Sequence, residues 1–141
     1  MRPERLEIVR GWIAKSKSDL ETAQLLIVGE NRHLDTGAYH CQQAAEKALK
    51  AFLAANGVIP PKTHDLLALL DLSVPFDEDL ATLRDATAML NPLGIQFRYP
   101  GDQFEPPFSE AVQALHLANE VFTFVSTALT RLASEESPPQ H

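Results

Sequence analysis

The chain has 141 residues, a net charge of −7 and an apolar content of 45%. This length suits one folded domain, and the composition excludes wholesale disorder. No apolar run approaches the roughly 20 residues of a membrane-spanning helix, and the acidic total argues against sequence-independent binding of duplex nucleic acid. With no secretory leader and a single cysteine, the sequence predicts a cytoplasmic domain without disulfide, cofactor or membrane contact.

The ten prolines divide the chain into stretches in which helices can form. Proline inside a helix costs about 3 kcal/mol, so helices are expected where proline is absent. The proline-free stretches run from Glu4 to Ile59, from Phe76 to Asn91 and from Phe108 to Ser137. Alternating runs rich in Val, Ile and Thr, typical of strands, are missing from the sequence. The pattern predicts an all-α protein.

Apolar residues at a spacing of three and four predict five helices within these stretches. The predicted helices run from about Glu4 to Val28, about Asp35 to Asn56, His64 to about Leu70, about Glu78 to Leu90, and about Glu110 to Leu132. Thr63 and Ser109 are the predicted N-caps of the third and fifth helices. The sequence thus predicts an antiparallel four- to five-helix up-and-down bundle in residues 1–133, with residues 134–141 as a flexible tail.

The second predicted helix carries a stripe of polar residues opposite its apolar face. Tyr39, Gln43, Glu46 and Lys50 fall within about 60° of one another at 100° per residue. Such a row can bind a polar ligand or the backbone of a partner through hydrogen bonds. The alternative is a solvated face in which Glu46 and Lys50 form an ordinary i,i+4 ion pair.

Two further parts of the sequence carry side chains that can transfer a proton or bind an anion. His64 stands at the predicted N-terminus of the third helix, where the helix dipole disfavours the imidazolium, so the neutral ring is a candidate general base. The alternative is that His64 fixes the turn at the start of this helix. Arg98 and Tyr99 lie between prolines, where the guanidinium can bind a phosphate or a carboxylate through two hydrogen bonds. Alternatively, Arg98 anchors its loop through a salt bridge to Glu46 or Asp65.

The fifth predicted helix has a second apolar stripe. Leu117 and Phe124 lie seven residues apart and off the main apolar face, so they either contact another subunit or are covered by the fourth helix. His33, His40 and His116 lack the neighbouring carboxylates or thiols that a metal site needs at helical spacing, so no metal is expected.

Four patches of the sequence are similar to a known family. They are Trp12 with Asp19-Leu20 and Ala23; Tyr39-x-x-Gln42-Gln43-Ala44-Ala45-Glu46-Lys47-Ala48-Leu49-Lys50-Ala51; Pro61-x-Thr63-His64-Asp65-Leu66; and Arg98-Tyr99-Pro100. With these patches, the chain resembles the HEPN domain family, prokaryotic helical proteins often encoded beside a minimal nucleotidyltransferase. The resemblance implies a dimeric four- or five-helix bundle with polar residues in a cleft near the dimer interface.

The resemblance also implies two kinds of function. Some HEPN proteins resemble metal-independent ribonuclease toxins and carry the signature Arg-x(4–6)-His, while others bind nucleotides or partners. No Arg-x(4–6)-His occurs in this sequence; Arg98, for example, is followed at those distances by Gln103, Phe104 and Glu105.

The sequence therefore predicts a homodimeric HEPN-like binding module for a nucleotide, or for a minimal nucleotidyltransferase in a toxin–antitoxin-type pair. The predicted ligand-binding residues are Tyr39, Gln43, Glu46, Lys50, His64, Asp65, Arg98 and Tyr99, and the predicted dimer interface contains Leu117 and Phe124. One alternative is a metal-independent ribonuclease that acts on RNA through a non-standard pair of Arg98 and His64. Another is a purely structural subunit.

Overall fold

A computed structural model describes residues 1–95 and 105–136 of the chain, in which it shows five α-helices and three short 3-10 helices. The α-helices are α1 (Pro3–Val28), α2 (Leu34–Ala55), α3 (Leu66–Ser73), α4 (Arg84–Leu90) and α5 (Phe108–Glu136), and the 3-10 helices are Val74–Phe76, Glu78–Leu83 and Asn91–Gly94. Helices cover 83% of the described residues, none of which lies in a strand. The predicted all-α fold is confirmed.

The predicted start of the third helix is wrong. The Asp65 carboxylate accepts hydrogen bonds from the backbone of Leu67 and Ala68, at 3.0 and 3.4 Å, so Asp65 is the N-cap and α3 begins at Leu66. Thr63 instead accepts a bond from the backbone nitrogen of Asp65 at 3.1 Å. His64 therefore precedes the helix, and the dipole argument for its ring no longer applies.

The other boundaries differ in smaller ways. Ser109 lies inside α5, which begins one residue earlier, directly after Pro107, so Ser109 is not its cap. The predicted fourth helix is a 3-10 helix over Glu78–Leu83 followed by α4. Helix α5 continues to Glu136, so residues 134–136 of the predicted tail are helical, and residues 137–141 lie outside the described part.

Contacts between the long helices define an up-and-down bundle. Ser16 near the middle of α1 donates to the Ala44 carbonyl of α2 at 2.6 Å, and a Cβ at Gly37 would lie against Ile27, so α1 and α2 are antiparallel. Arg32 stacks on Phe108 at one end of α5, and Leu132 packs beside Val9 at the other end. Helix α5 therefore runs with α2 and against α1.

Helix α2 lies at the centre of this bundle. It packs against α1, α3 and α5 and contacts α4, and 15 of its 22 residues are buried. Seven of these are alanines, whose small side chains allow the neighbouring helices to approach closely. Because so little of α2 faces solvent, its polar residues need partners within the protein.

Two helical glycines give a test of the packing between α1 and α2. A Cβ at Gly37 would lie 2.6 Å from Ile27 Cγ1, whereas a Cβ at Gly11 meets nothing within 4 Å. We expect Gly37→Ala to lower the free energy of unfolding by about 1–3 kcal/mol through overpacking. Gly11→Ala should raise it by up to about 1 kcal/mol through helix propensity alone. Urea unfolding followed by circular dichroism measures both, and equal stabilisation by the two variants would contradict the close approach.

The single cysteine, Cys41, belongs to the core and is fully buried. Burial disfavours its thiolate and raises the pKa of the thiol to about 12, so only about one thiol in ten thousand is ionised at pH 8. We expect a disulfide reagent at pH 8 to leave Cys41 unmodified in the folded protein and to label it at once in urea. Rapid labelling without denaturant would contradict this packing.

Candidate functional site

The polar stripe of α2 contains a buried ion pair. Lys50 Nζ lies 3.2 Å from Glu46 Oε2, and the two side chains are only 7% and 4% exposed. The ring of Trp12 on α1 covers the ammonium, which lies 5.5 Å from the ring centroid. The alternative of a solvated face is therefore wrong for Glu46 and Lys50, because α1 packs over them.

His64 is held against this pair although it is itself exposed. Its Nδ1 lies 2.9 Å from Glu46 Oε1, while 77% of its side chain is accessible to solvent. Gln42, one turn earlier on α2, donates from Nε2 to the backbone oxygen of His64 at 2.8 Å. Gln43 in turn donates to Oε1 of Gln42 at 2.8 Å. Two successive turns of α2 thus fix both the backbone and the ring of His64.

The 3-10 helix Asn91–Gly94 holds the same segment from the other side. Asn91 accepts from the backbone nitrogen of Leu66 at 2.9 Å and donates to Asp65 Oδ1 at 3.0 Å. A Cβ at Gly94 would lie 2.6 Å from the side-chain amide of Gln42, so this 3-10 helix sits directly on the amide. The segment 63–66 is therefore held by hydrogen bonds to α2 on one side and to the 3-10 helix Asn91–Gly94 on the other.

This geometry has a chemical consequence for His64. With Nδ1–H donating to the Glu46 carboxylate, Nε2 carries the lone pair and can accept a proton or a hydrogen bond. A carboxylate on one nitrogen fixes the tautomer and the ring orientation, as an orienting carboxylate does for a catalytic histidine. His64 is therefore both exposed to solvent and held in a fixed orientation.

A second cluster joins α1 to α2. The Asp19 carboxylate, from α1, is bound by Lys47 Nζ at 2.6 Å and by His40 Nδ1 at 2.8 Å. The ring of Tyr39 meets that of His40 edge-on, with 5.7 Å between the centroids. His40 therefore has a carboxylate partner that comes from another helix, whereas the sequence expectation concerned only neighbours at helical spacing within α2.

Two pairs of predicted residues remain, Arg98 with Tyr99 and Leu117 with Phe124. Arg98 and Tyr99 lie outside the described residues. Leu117 and Phe124 are half-buried and pack against the core. Within residues 1–95 and 105–136, no group of three or more His, Cys, Asp or Glu side chains is placed to hold a metal ion, and no helix is long and apolar enough to cross a membrane.

Sequence reasoning missed two residues that hold the His64 segment. Gln42 lies at the border of the apolar face of α2. The only feature of the sequence that pointed to it was its place in the family-like patch that begins at Tyr39. Asn91 had no sequence signal, since its contacts reach 25 and 26 residues back along the chain.

Comparison with known proteins identifies the family of the chain. Residues 9–128 match the HEPN domain. The chain belongs to the HEPN domain family. A stretch of 48 residues is 42% identical to the protein named "Putative toxin MJ1304" of Methanocaldococcus jannaschii, and this match covers 34% of the chain but only 30% of that relative's length.

Two solved structures share the HEPN fold of this chain. The TT1696 protein of Thermus thermophilus is 31% identical, with a TM-score of 0.69 over 84% of this chain and 96% of that one. ST0689, described as an archaeal HEPN homologue, is 24% identical, with a TM-score of 0.67 over 86% of this chain and 97% of that one. At its level of identity, ST0689 supports the fold alone.

Proposed function

We propose that this chain is the HEPN binding module of a toxin–antitoxin-type pair and that it binds a nucleotide or single-stranded RNA at the surface around His64. The observation that carries the proposal is the exposed His64 ring, held by a buried ion pair and by the Gln42 amide. The partial likeness to a relative named as a putative toxin supports the toxin–antitoxin setting.

The energetics of the ion pair support a role beyond stability. Moving two charges out of water costs several kcal/mol for each ion, and well-packed apolar residues of the same volume often stabilise a core as well or better. Glu46 and Lys50 replace such residues on the most buried helix of the bundle. What they add is a fixed carboxylate oxygen beneath His64.

The contacts divide the predicted site residues into two groups. Glu46 and Lys50 bind each other and act on a ligand through His64, whereas His64 and Asp65 are exposed to it. The remaining ligand contacts come from Tyr39, Gln43, Arg98 and Tyr99. Since Lys50 is neutralised by Glu46 and Asp65 adds a negative charge, Arg98 supplies the main positive charge for an anionic ligand.

The proposal includes an assembly. HEPN membership and the half-buried stripe on α5 support a two-fold homodimer in which Leu117 and Phe124 contact the second copy. A minimal nucleotidyltransferase is the protein partner that the family resemblance implies. It would meet the module on the His64 surface.

One contact favours the ribonuclease alternative. The Glu46 carboxylate on Nδ1 gives His64 the orientation that a general base for a ribose hydroxyl needs. The absence of Arg-x(4–6)-His from the sequence weighs against it. We therefore keep binding as the function and cleavage as the second candidate.

Substitution of His64 tests the binding proposal directly. We expect His64→Ala to weaken binding of a fluorescent single-stranded oligoribonucleotide, in chelator, by at least about tenfold. The Gln42 bond to the backbone of residue 64 survives the change, so the melting temperature should fall only slightly. His33→Ala removes another exposed histidine and is the matched control. Equal binding by the two variants and the wild type would contradict the proposal.

A further inference from the structure

An exposed arginine lies at the end of the bundle where α2 begins. Arg32, in the turn between α1 and α2, places its guanidinium over the ring of Phe108, with 4.2 Å between Arg32 Cζ and the ring centroid. Phe108 is the first residue of α5 and is 42% exposed. Because this separation is well inside the roughly 6 Å range of a cation–π contact, the ring fixes the guanidinium at the surface.

The carboxylates close to Arg32 in the sequence do not pair with it. Glu30 and Asp35 are both exposed, yet the Arg32 guanidinium forms no ion pair or hydrogen bond with any residue that the structure describes. The ring of Phe108 attracts the positive charge but offers no oxygen or nitrogen acceptor. The N–H donors of Arg32 are therefore available for an anion, and a phosphate accepts two of them at once.

Helix α2 gives the separation between Arg32 and the His64 segment. Gln42, which binds the backbone of His64, lies eight positions after Leu34, the first residue of α2. At 1.5 Å per residue, this contact is about 12 Å along the helix from the turn that carries Arg32. A stacked single strand rises about 3.4 Å per nucleotide, so about four nucleotides cover this distance.

Both places border the same connection of the chain. Gly94, before this connection, lies against the Gln42 amide that holds the His64 segment, and Phe108, after it, lies under Arg32. The chain thus leaves the His64 segment and reaches Arg32 within a single connection. This placement supports a ligand that contacts both.

We propose that Arg32, held by Phe108, binds a backbone phosphate of the same single-stranded RNA that contacts His64, about four nucleotides away along the strand. The inference rests on the proposed function and narrows its ligand to a strand long enough to reach both places. Phe108 acts as a positioning residue, because a guanidinium that is already fixed loses less side-chain freedom on binding.

The dependence of affinity on RNA length tests this second contact. Unlabelled uridine oligonucleotides of increasing length compete, in chelator, with a fluorescent single-stranded oligoribonucleotide of about twelve nucleotides. For the wild type we expect affinity to rise at least about tenfold between about two and six nucleotides, because only the longer strands reach Arg32. Arg32→Ala should remove most of this rise and leave the affinity for the dinucleotide unchanged.

The salt dependence separates the charge of Arg32 from its position. Arg32→Ala should lower the slope of log affinity against log salt by about 0.7, the value for one phosphate contact of a single strand. Phe108→Leu keeps the charge, so it should leave this slope unchanged while it weakens binding of the longer strands about threefold. An unchanged affinity in Phe108→Leu would show that the ring does not position Arg32.

Arg10→Ala is the matched control. Arg10 is an exposed arginine of α1, about 27 Å along that helix from Val28, and its loss should change neither the length dependence nor the slope. If Arg32→Ala binds the longer strands like Arg10→Ala while His64→Ala binds them more weakly, this inference is wrong and the proposed function survives. If the wild type binds no oligonucleotide, both are wrong.

Discussion

Glu46→Ala is expected to lower the free energy of unfolding by about 3–5 kcal/mol. The change leaves the Lys50 ammonium, whose side chain is 7% exposed, beneath Trp12 without its carboxylate. It also removes the acceptor of the His64 ring. Urea denaturation followed at 222 nm measures the loss.

The chain contains a control for this prediction. Arg84 and Asp71 form an exposed ion pair at 2.8 Å, with side chains 50% and 62% accessible, so Asp71→Ala should cost no more than about 1 kcal/mol. The double variant Glu46→Leu/Lys50→Met replaces both buried charges with apolar groups and should recover most of the stability. A cost for Glu46→Ala no larger than that for Asp71→Ala would show that the pair is not buried in solution.

The helices of this fold were predictable because local rules govern them. Proline is disfavoured inside helices, and the spacing of apolar residues identifies the buried side of a helix. The positions of the prolines and the apolar pattern therefore predict α1, α2 and most of α5. The start of α3 was predicted wrongly for an equally local reason. Thr63 and Asp65 are both good N-cap residues, and only the structure shows which one the backbone donors meet.

The site was predictable only in part, because its contacts are long-range. The polar stripe of α2 includes Glu46 and Lys50, but periodicity cannot show that another helix covers it. The partners that decide its chemistry lie far along the chain: His64 is 18 residues from Glu46, and Asp19 is 28 residues from Lys47. Such pairs leave no periodic signal in a single sequence.

In the proposed function, burial separates the residues that support His64 from those proposed to contact a ligand. Glu46, Lys50 and Gln42 have little exposed surface and serve to fix His64. Their loss is expected to be seen first as lost stability, whereas loss of an exposed residue of the site is expected to be seen as lost binding.

Removal of Arg98 should have the largest effect on binding. We expect Arg98→Ala to weaken binding of a nucleotide or a single-stranded oligoribonucleotide about ten- to a hundredfold, because a charged hydrogen bond contributes about 1.5–3 kcal/mol. The melting temperature should remain nearly unchanged. Both oxygens of Glu46 already have partners in Lys50 and His64, so an ion pair from Arg98 to Glu46 would add little stability. The other anchor considered from the sequence is Asp65, whose Oδ1 already accepts hydrogen bonds from Asn91 and from the backbone of Leu67.

Isothermal titration and a thermal melt of the same variant distinguish the roles of Arg98. Lys62→Ala, which removes an exposed charge two residues before His64, is the control and should change affinity less than about threefold. A fall in melting temperature with unchanged affinity would assign Arg98 to loop anchoring. We expect no cleavage of single-stranded RNA in chelator, since Arg-x(4–6)-His is absent. Reproducible cleavage by the wild type, lost in both Arg98→Ala and His64→Ala, would instead make the ribonuclease the function of this site.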